Sequence, residues 1–193
     1  MASLVLSGDT SGTVTVSAPA VAGSNTQTLV AETGTLAPVV SATAQASTSG
    51  TSIDFTSIPS WVKRITVMFN GVSTNGSSFI QVQLGDSGGV ETTGYVGVMT
   101  TSGGGSTSDT AITTGFGVRQ NSAGYISEGL INISKLSGNT YVASGTLSAS
   151  GAGTGTFITS GSKTLSDTLD RVRITTVNGT DTFDAGTINI LYE

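Results

Sequence analysis

The chain has 193 residues, no cysteine and no histidine, and it is built from 28 Ser, 33 Thr and 27 Gly with only 10% charged residues and a net charge of −5. Without Cys or His, the commonest nucleophilic, acid–base and metal-ligating side chains are missing, and no disulfide framework can form. The basic residues number seven and are scattered, with only Lys63 and Arg64 adjacent, so the clustered charge that a phosphate backbone needs is absent and no nucleic-acid partner is expected.

What remains favours strands. Thr carries a branched Cβ that suits a pleated sheet, and frequent Gly opposes long helices through its backbone entropy. An all-β protein is expected. The start, Met1-Ala2-Ser3-Leu4-Val5-Leu6-Ser7-Gly8-Asp9, has no basic n-region and too short an apolar run for a signal peptide. Nothing approaches the ~20 apolar residues of a membrane span, so membrane insertion is not expected.

Residues 1–40 differ from the rest: they contain no aromatic residue and two of the three prolines, Pro19 and Pro38. Thr13-Val14-Thr15-Val16-Ser17 alternates as a strand should, and Gln27-Thr28-Leu29-Val30 is a shorter candidate. A piece this small and apolar-poor cannot stabilise itself, so it is either disordered or packs against copies of itself or against a larger surface. Residues 41–50 are small and polar and read as a linker.

From residue 51 to 193 the pattern is globular. Strands are expected at 52–55, 64–69, 79–84, 95–100, 111–118, 129–133, 141–147, 156–159, 169–177 and 187–192. Ile65, Val67 and Phe69 share one face, as do Ile80, Val82 and Leu84, and Ile188, Ile190 and Tyr192. Asn70-Gly71, Asn75-Gly76 and Asn178-Gly179 read as hairpin turns. About ten short strands with turns between them predict a sandwich or jelly roll. The aromatic residues fall between Phe55 and Tyr192, which places the core there, and Trp61 is expected to anchor the turn into the second strand.

Each motif that suggests chemistry has a plainer explanation. Gly85-Asp86-Ser87-Gly88-Gly89 spells the sequence around the nucleophile of chymotrypsin-like proteases, but that mechanism needs a histidine base. A Ser–Lys dyad would have to draw on Lys63, Lys135 or Lys163, none of which has a supporting motif. Asp181, Asp184 and Asn178 offer oxygens to Ca²⁺ but fall short of the 6–8 it prefers. Asp167 with Asp170, and Asp181 with Asp184, are the acid pairs a glycan hydrolase would use, and turn acids are the common case. Gly103-Gly104-Gly105 and Gly151-Ala152-Gly153-Thr154-Gly155 lack the following helix that a phosphate cradle requires. Asn75, Asn132 and Asn178 match the glycosylation pattern, with no visible signal peptide to give the match meaning. No catalytic, cofactor-binding or metal-ligating residue is assigned, and no enzymatic activity or cofactor is expected.

Three stretches carry a resemblance. The start, Leu6-Ser7-Gly8-Asp9-Thr10-Ser11-Gly12-Thr13-Val14-Thr15-Val16-Ser17-Ala18-Pro19, with Thr33-Gly34-Thr35 after it, resembles a segment common in tailed-bacteriophage fibre and virion proteins. Residues 51–67, which include Ile58-Pro59-Ser60-Trp61-Val62-Lys63-Arg64, and the ending from Asp170-Arg171-Val172-Arg173 to Ile190-Leu191-Tyr192-Glu193, resemble a phage tail-fibre or head-fibre tip domain. The chain departs from that pattern in having almost no shaft, which favours a short knob or decoration protein. The resemblance implies a homotrimer on the virion surface, made in the host cytoplasm. Residues 1–40 would form an anchoring arm on major capsid, cement or tail proteins, and 51–193 a projecting β-sandwich knob. The alternative it implies is a tail-tip adhesin binding a host-surface glycan or protein. Loops at 85–93, 101–109 and 148–155 would carry recognition, with Tyr95 or Tyr125 stacking on sugar, although core or trimer interface is the more ordinary place for those tyrosines.

Overall fold

The computed structural model describes residues 3–7, 11–17, 37–118 and 122–193. The chain divides into two units, Met1–Leu36 and Ala37–Glu193, each taken here on its own. The candidate strand at 27–30 lies outside the described residues.

In the first unit, β1 (Ser3–Ser7) and β2 (Thr13–Ser17) form an antiparallel hairpin. The second strand is the one the alternation predicts; the first was not anticipated. Leu4 pairs with Val16 and Leu6 with Val14. Directly opposed residues point to one face and alternate residues share it, so these four side chains form one apolar face.

The second unit contains β3 (Val40–Ser41), β4 (Gln45–Ala46), β5 (Ser52–Phe55), β6 (Arg64–Thr74), β7 (Ile80–Asp86), β8 (Gly89–Val90), β9 (Tyr95–Gly103) and β10 (Ser106–Ala111). It continues with β11 (Phe116–Val118), β12 (Tyr125–Ser137), β13 (Thr140–Gly151), β14 (Gly155–Thr164), β15 (Arg171–Thr176) and β16 (Phe183–Tyr192). The protein is all-β, as composition predicts, and every strand pairing is antiparallel.

A nine-stranded sheet runs β10-β9-β14-β13-β12-β6-β16-β3, with β4 also on β16. A five-stranded sheet runs β11-β7-β15-β5, with β8 on β7. The chain passes from one sheet to the other after β4, β5, β6, β8, β10, β11, β14 and β15. One continuous core joins the inward faces of both sheets. The large sheet gives Ile65, Val67, Ile131, Leu147, Phe157 and Ile190; the small one gives Ile53, Phe55, Val82, Leu84, Val172 and Ile174. This is the arrangement of a sandwich.

Four local expectations are corrected. Residues 41–50, read as a linker, are built into the sheet edge: β3 and β4 pair with β16, the Gln45 amide donates to the Asp54 carbonyl at 2.8 Å, and the buried Ser47 hydroxyl donates to the Ala185 carbonyl at 2.8 Å. Small polar residues suit an edge that a larger neighbour covers on one side only.

Asn70-Gly71 is not a hairpin turn but lies inside β6, at the point where the register against β16 slips. Gly71 (φ 67°) faces Gly186 (φ 95°), and a Cβ on Gly186 would sit 2.4 Å from the Gly71 carbonyl oxygen. Two glycines make a bulge here that bends the strand instead of reversing it. The stretch 111–118 is two strands, because the chain leaves the large sheet after Ala111 and enters the small one at Phe116. Asn75-Gly76 lies in a bend and Asn178-Gly179 in a turn, but each links strands of different sheets, β6 to β7 and β15 to β16, so neither is the hairpin turn expected. Trp61 sits in the turn before β6, where Val62 N–H donates to the Pro59 carbonyl at 3.1 Å, and its ring packs on Tyr192 at 6.0 Å between centroids.

Candidate functional site

β9 runs from Tyr95 to Gly103, so the loop at 85–93 enters at one end of the large sheet and the loop at 101–109 leaves at the other. Of the three predicted recognition loops, the structure therefore brings together two. The β9–β10 turn and the β13–β14 turn are neighbours because β9 pairs with β14, with Thr156 opposite Ser102. Between them opens a groove of about 300 Å³, lined by Thr101, Gly103, Gly104, Ser106 and Ser108 on one side, Gly153, Thr154 and Gly155 on the other, and Tyr125 at the start of β12. Phe157, buried, forms its apolar floor.

Glycine is what lets the walls approach. A Cβ on Gly153 would lie 2.5 Å from the Tyr125 hydroxyl, and one on Gly103 would lie 2.6 Å from the Thr154 carbonyl. No charged side chain lines the groove; its polar groups are hydroxyls. A half-exposed aromatic ring beside neutral hydroxyls suits an uncharged, hydroxyl-rich ligand better than an ionic one.

Tyr95 is not part of that groove. It is 3% exposed, packs edge-on against Phe116 at 5.2 Å, and its hydroxyl donates to the Glu91 carbonyl at 3.1 Å while accepting the Leu84 N–H at 2.6 Å. Burial pushes its pKa well above the ordinary tyrosine value. It is a core residue.

The Gly85–Gly89 motif forms the end of β7, a two-residue turn and the start of β8. Ser87 is exposed at the turn, and Asp86 accepts the Gly88 N–H at 2.8 Å. Lys163, the one candidate base near it in the fold, is 5% exposed and ion-paired to Glu91, with its ammonium 5.4 Å from the Tyr95 ring centroid. Ser166 ties this corner together: its N–H and hydroxyl meet Glu91 at 2.7 and 2.8 Å, and the hydroxyl also meets Asp86 at 2.7 Å. The Ser166 hydroxyl bond and the Gly88 N–H hold the Asp86 carboxyl below its usual pKa. Burial works against ionisation of Glu91, but Lys163 and Ser166 outweigh it and lower its pKa too. This cluster locks the β7–β8 turn onto the segment after β14. Sequence reasoning missed it, since its members lie up to 80 residues apart. Lys135 lies over the Tyr141 ring at 5.9 Å.

The acids of the two candidate pairs are held by backbone N–H groups, by neighbouring polar side chains or by an arginine. Asp181 accepts from Ser78 N–H at 2.9 Å and the Asn178 amide at 2.7 Å. Asn178 in turn accepts from Thr180 and Asp181 N–H. Asp184 takes the Ser73 hydroxyl. Asp170 is held by Arg171, and Asp167 caps Thr168 N–H. Among the described residues no three metal-ligating side chains gather, and no helix is long and apolar enough to cross a membrane. No family model, curated protein or solved structure matches this chain.

Proposed function

We propose that this chain is a structural protein of the exterior of a tailed-bacteriophage particle. In this reading it is a short homotrimeric fibre or knob, fixed through its N-terminal arm to capsid, cement or tail proteins and projecting its sandwich outward.

The observation that carries the reading is the β1–β2 hairpin. Leu4 (59% exposed), Leu6 (54%), Val14 (65%) and Val16 (60%) form an apolar face that nothing in the hairpin covers. A two-stranded ribbon is marginal in water at best, so such a face is stabilised by docking on a larger surface. The sandwich has its own complete core and does not need the arm to fold. An arm that must dock beside a body that need not is the division of labour expected of an attached surface knob. The test is a chain lacking residues 1–36. It is expected to be soluble and folded and to be absent from particles; incorporation at normal copy number would remove the reading.

The adhesin reading has one observation in its favour, the convergence of two predicted loops and Tyr125 on a neutral groove. Binding on a glycan array that is lost in Tyr125→Ala would support it, and a blank array would count against it.

A further inference from the structure

Among the described residues of the second unit, no layer covers the outer face of the nine-stranded sheet. Strand register places its side chains in rows. One row is Thr100, Ile158, Thr146, Leu130, Met68 and Asn189, and the next is Val98, Ser160, Ser144, Asn132, Thr66 and Leu191. These twelve residues are uncharged, but the edge strand β10 extends the first row to the exposed Asp109 and the second to Ala111. Ile158 is 55% exposed, Val98 45% and Leu130 41%, where large aliphatics on an uncovered sheet would ordinarily be replaced by polar groups. The outer face of the small sheet is built differently: it carries Arg171 and Arg173, the latter paired with Asp54 at 2.7 Å.

We propose that this face is the surface through which copies of the chain associate. Three observations select a second copy as the occupant. First, the chain carries a net charge of −5, so most self-contacts bring acids together, whereas these two rows are uncharged across their central strands and their one acid, Asp109, stands at the sheet edge. A partner of opposite charge would find little here to pair with.

Second, the size fits. Six strands across and about seven residues along, a footprint that reaches Glu128 at one end and Arg64 at the other, span roughly 29 by 23 Å, so two such faces bury on the order of 1,300 Å², within the range of stable protein interfaces.

Third, the relief is self-complementary. Ile158 borders a trough of about 380 Å³ beside Leu130, Ser144 and Thr146, and Ser160 separates that trough from one of about 660 Å³ beside Val96 and Val98. A projecting side chain beside a hollow on the same surface is what a closed symmetric contact requires. The proposal deepens the homotrimer of the proposed function and rests on that part of it alone; particle attachment is not needed.

The experiment uses the full chain. Light scattering on the wild-type protein at tens of micromolar is expected to give a multiple of the single-chain mass. Ile158→Lys with Leu130→Lys is expected to give one chain with an unchanged β spectrum, because both side chains point away from the core. A wild-type protein that runs as one chain overturns the proposal. So does a double variant that keeps the oligomer mass, or an oligomer dissociated by Leu6→Ser with Val14→Ser in the arm and not by the face variant. A mass of two chains upholds the face and removes threefold symmetry.

Should the double lysine variant fail to fold, the cysteine-free background supplies a second readout. The thiol of Thr146→Cys is expected to react with a maleimide at least tenfold more slowly than that of Ser87→Cys, on an exposed turn. Equal rates overturn the proposal. Loss of particle incorporation with self-association intact would bear on the function alone, so the two failures are distinguishable.

Discussion

The β1–β2 hairpin and the β12–β13 hairpin are made from the same materials, Val, Leu, Ile, Ser and Thr, yet only one of them has an inside. In β12–β13, Ile131, Ile133, Ala143 and Leu147 are covered by the second sheet and are 0–5% exposed. In β1–β2, the matching apolar positions Leu4, Leu6, Val14 and Val16 are all more than half exposed. Alternation marks β2 as it marks the strands of the second hairpin, while β1 is a short apolar run. Burial of apolar area, worth roughly 25 cal/mol per Å², comes only where the topology supplies a facing layer. Stability should therefore be concentrated in the sandwich, and the arm should matter for association. Substitutions in the two regions test that contrast.

The largest effect is expected inside the sandwich. Phe116, 1% exposed, packs edge-on against Tyr95 where β11 lies beneath the large sheet. Phe116→Ala removes that contact and leaves a cavity, and should cost about 3–5 kcal/mol in urea denaturation. A loss under 1 kcal/mol would mean that this end of the core is loosely packed.

Gly186→Ala comes next. The residue has φ 95°, and a Cβ would press on the Gly71 carbonyl across the bulge. Strain and displacement together should cost about 2–3 kcal/mol, read from the shift in the denaturation midpoint. Gly71→Ala meets more room, its nearest atom being 3.8 Å away, and should cost less. Equal effects would show that backbone conformation and not the close approach governs the bulge.

Glu91→Gln strands the buried Lys163 ammonium and should cost roughly 3 kcal/mol, at the low end for a buried pair because Glu91 is 22% exposed. Adding Lys163→Met should recover most of it, since the thioether can lie on the Tyr95 ring in place of the ammonium. The pH dependence follows from direction alone. The Glu91 pKa is lowered by folding, so its contribution is complete above the unfolded value of 4.5 and is lost as pH falls through the lower folded value. Asp86, lowered from 3.8, acts the same way further down. Thermal melts of the wild type should lose stability below about pH 4, and Glu91→Gln should flatten that decline; identical slopes would exclude this corner as the source.

These contrasts also explain what could be read in the residue pattern. The strand at 52–55 and the strand at 13–17 were legible to the residue, because apolar and polar positions alternate between clear turn signals. β10 was not, since Ser106-Thr107-Ser108-Asp109 carries no apolar residue to reveal a period. The break between β10 and β11 was hidden for a different reason. Thr114 leaves the ladder to bond Gln81 and Gln83 of the other sheet, a long-range choice with no local signature. Tyr125 could be picked out as an accessible ring, and its groove loops could be guessed as tips. Their meeting depended on β9 pairing with β14, which no local pattern encodes. The Glu91–Ser166–Lys163 corner was invisible for the same reason.

The smallest expected effect on stability belongs to the arm. Leu6→Ser with Val14→Ser removes one directly opposed apolar pair from the hairpin face. Both side chains are already in water, so almost no buried area is lost, and the urea midpoint of the sandwich should move by less than about 0.5 kcal/mol. The same double variant should nonetheless fail to join the particle, because the larger apolar face of the hairpin has been halved. That combination, no change in folding and loss of assembly, is what separates an anchoring arm from a structural part of the knob. If the variant melts several degrees lower, the hairpin is covered by the sandwich and its apolar face belongs to the fold. If it melts normally and still incorporates, the hairpin face is not the anchor, and attachment must run through another surface.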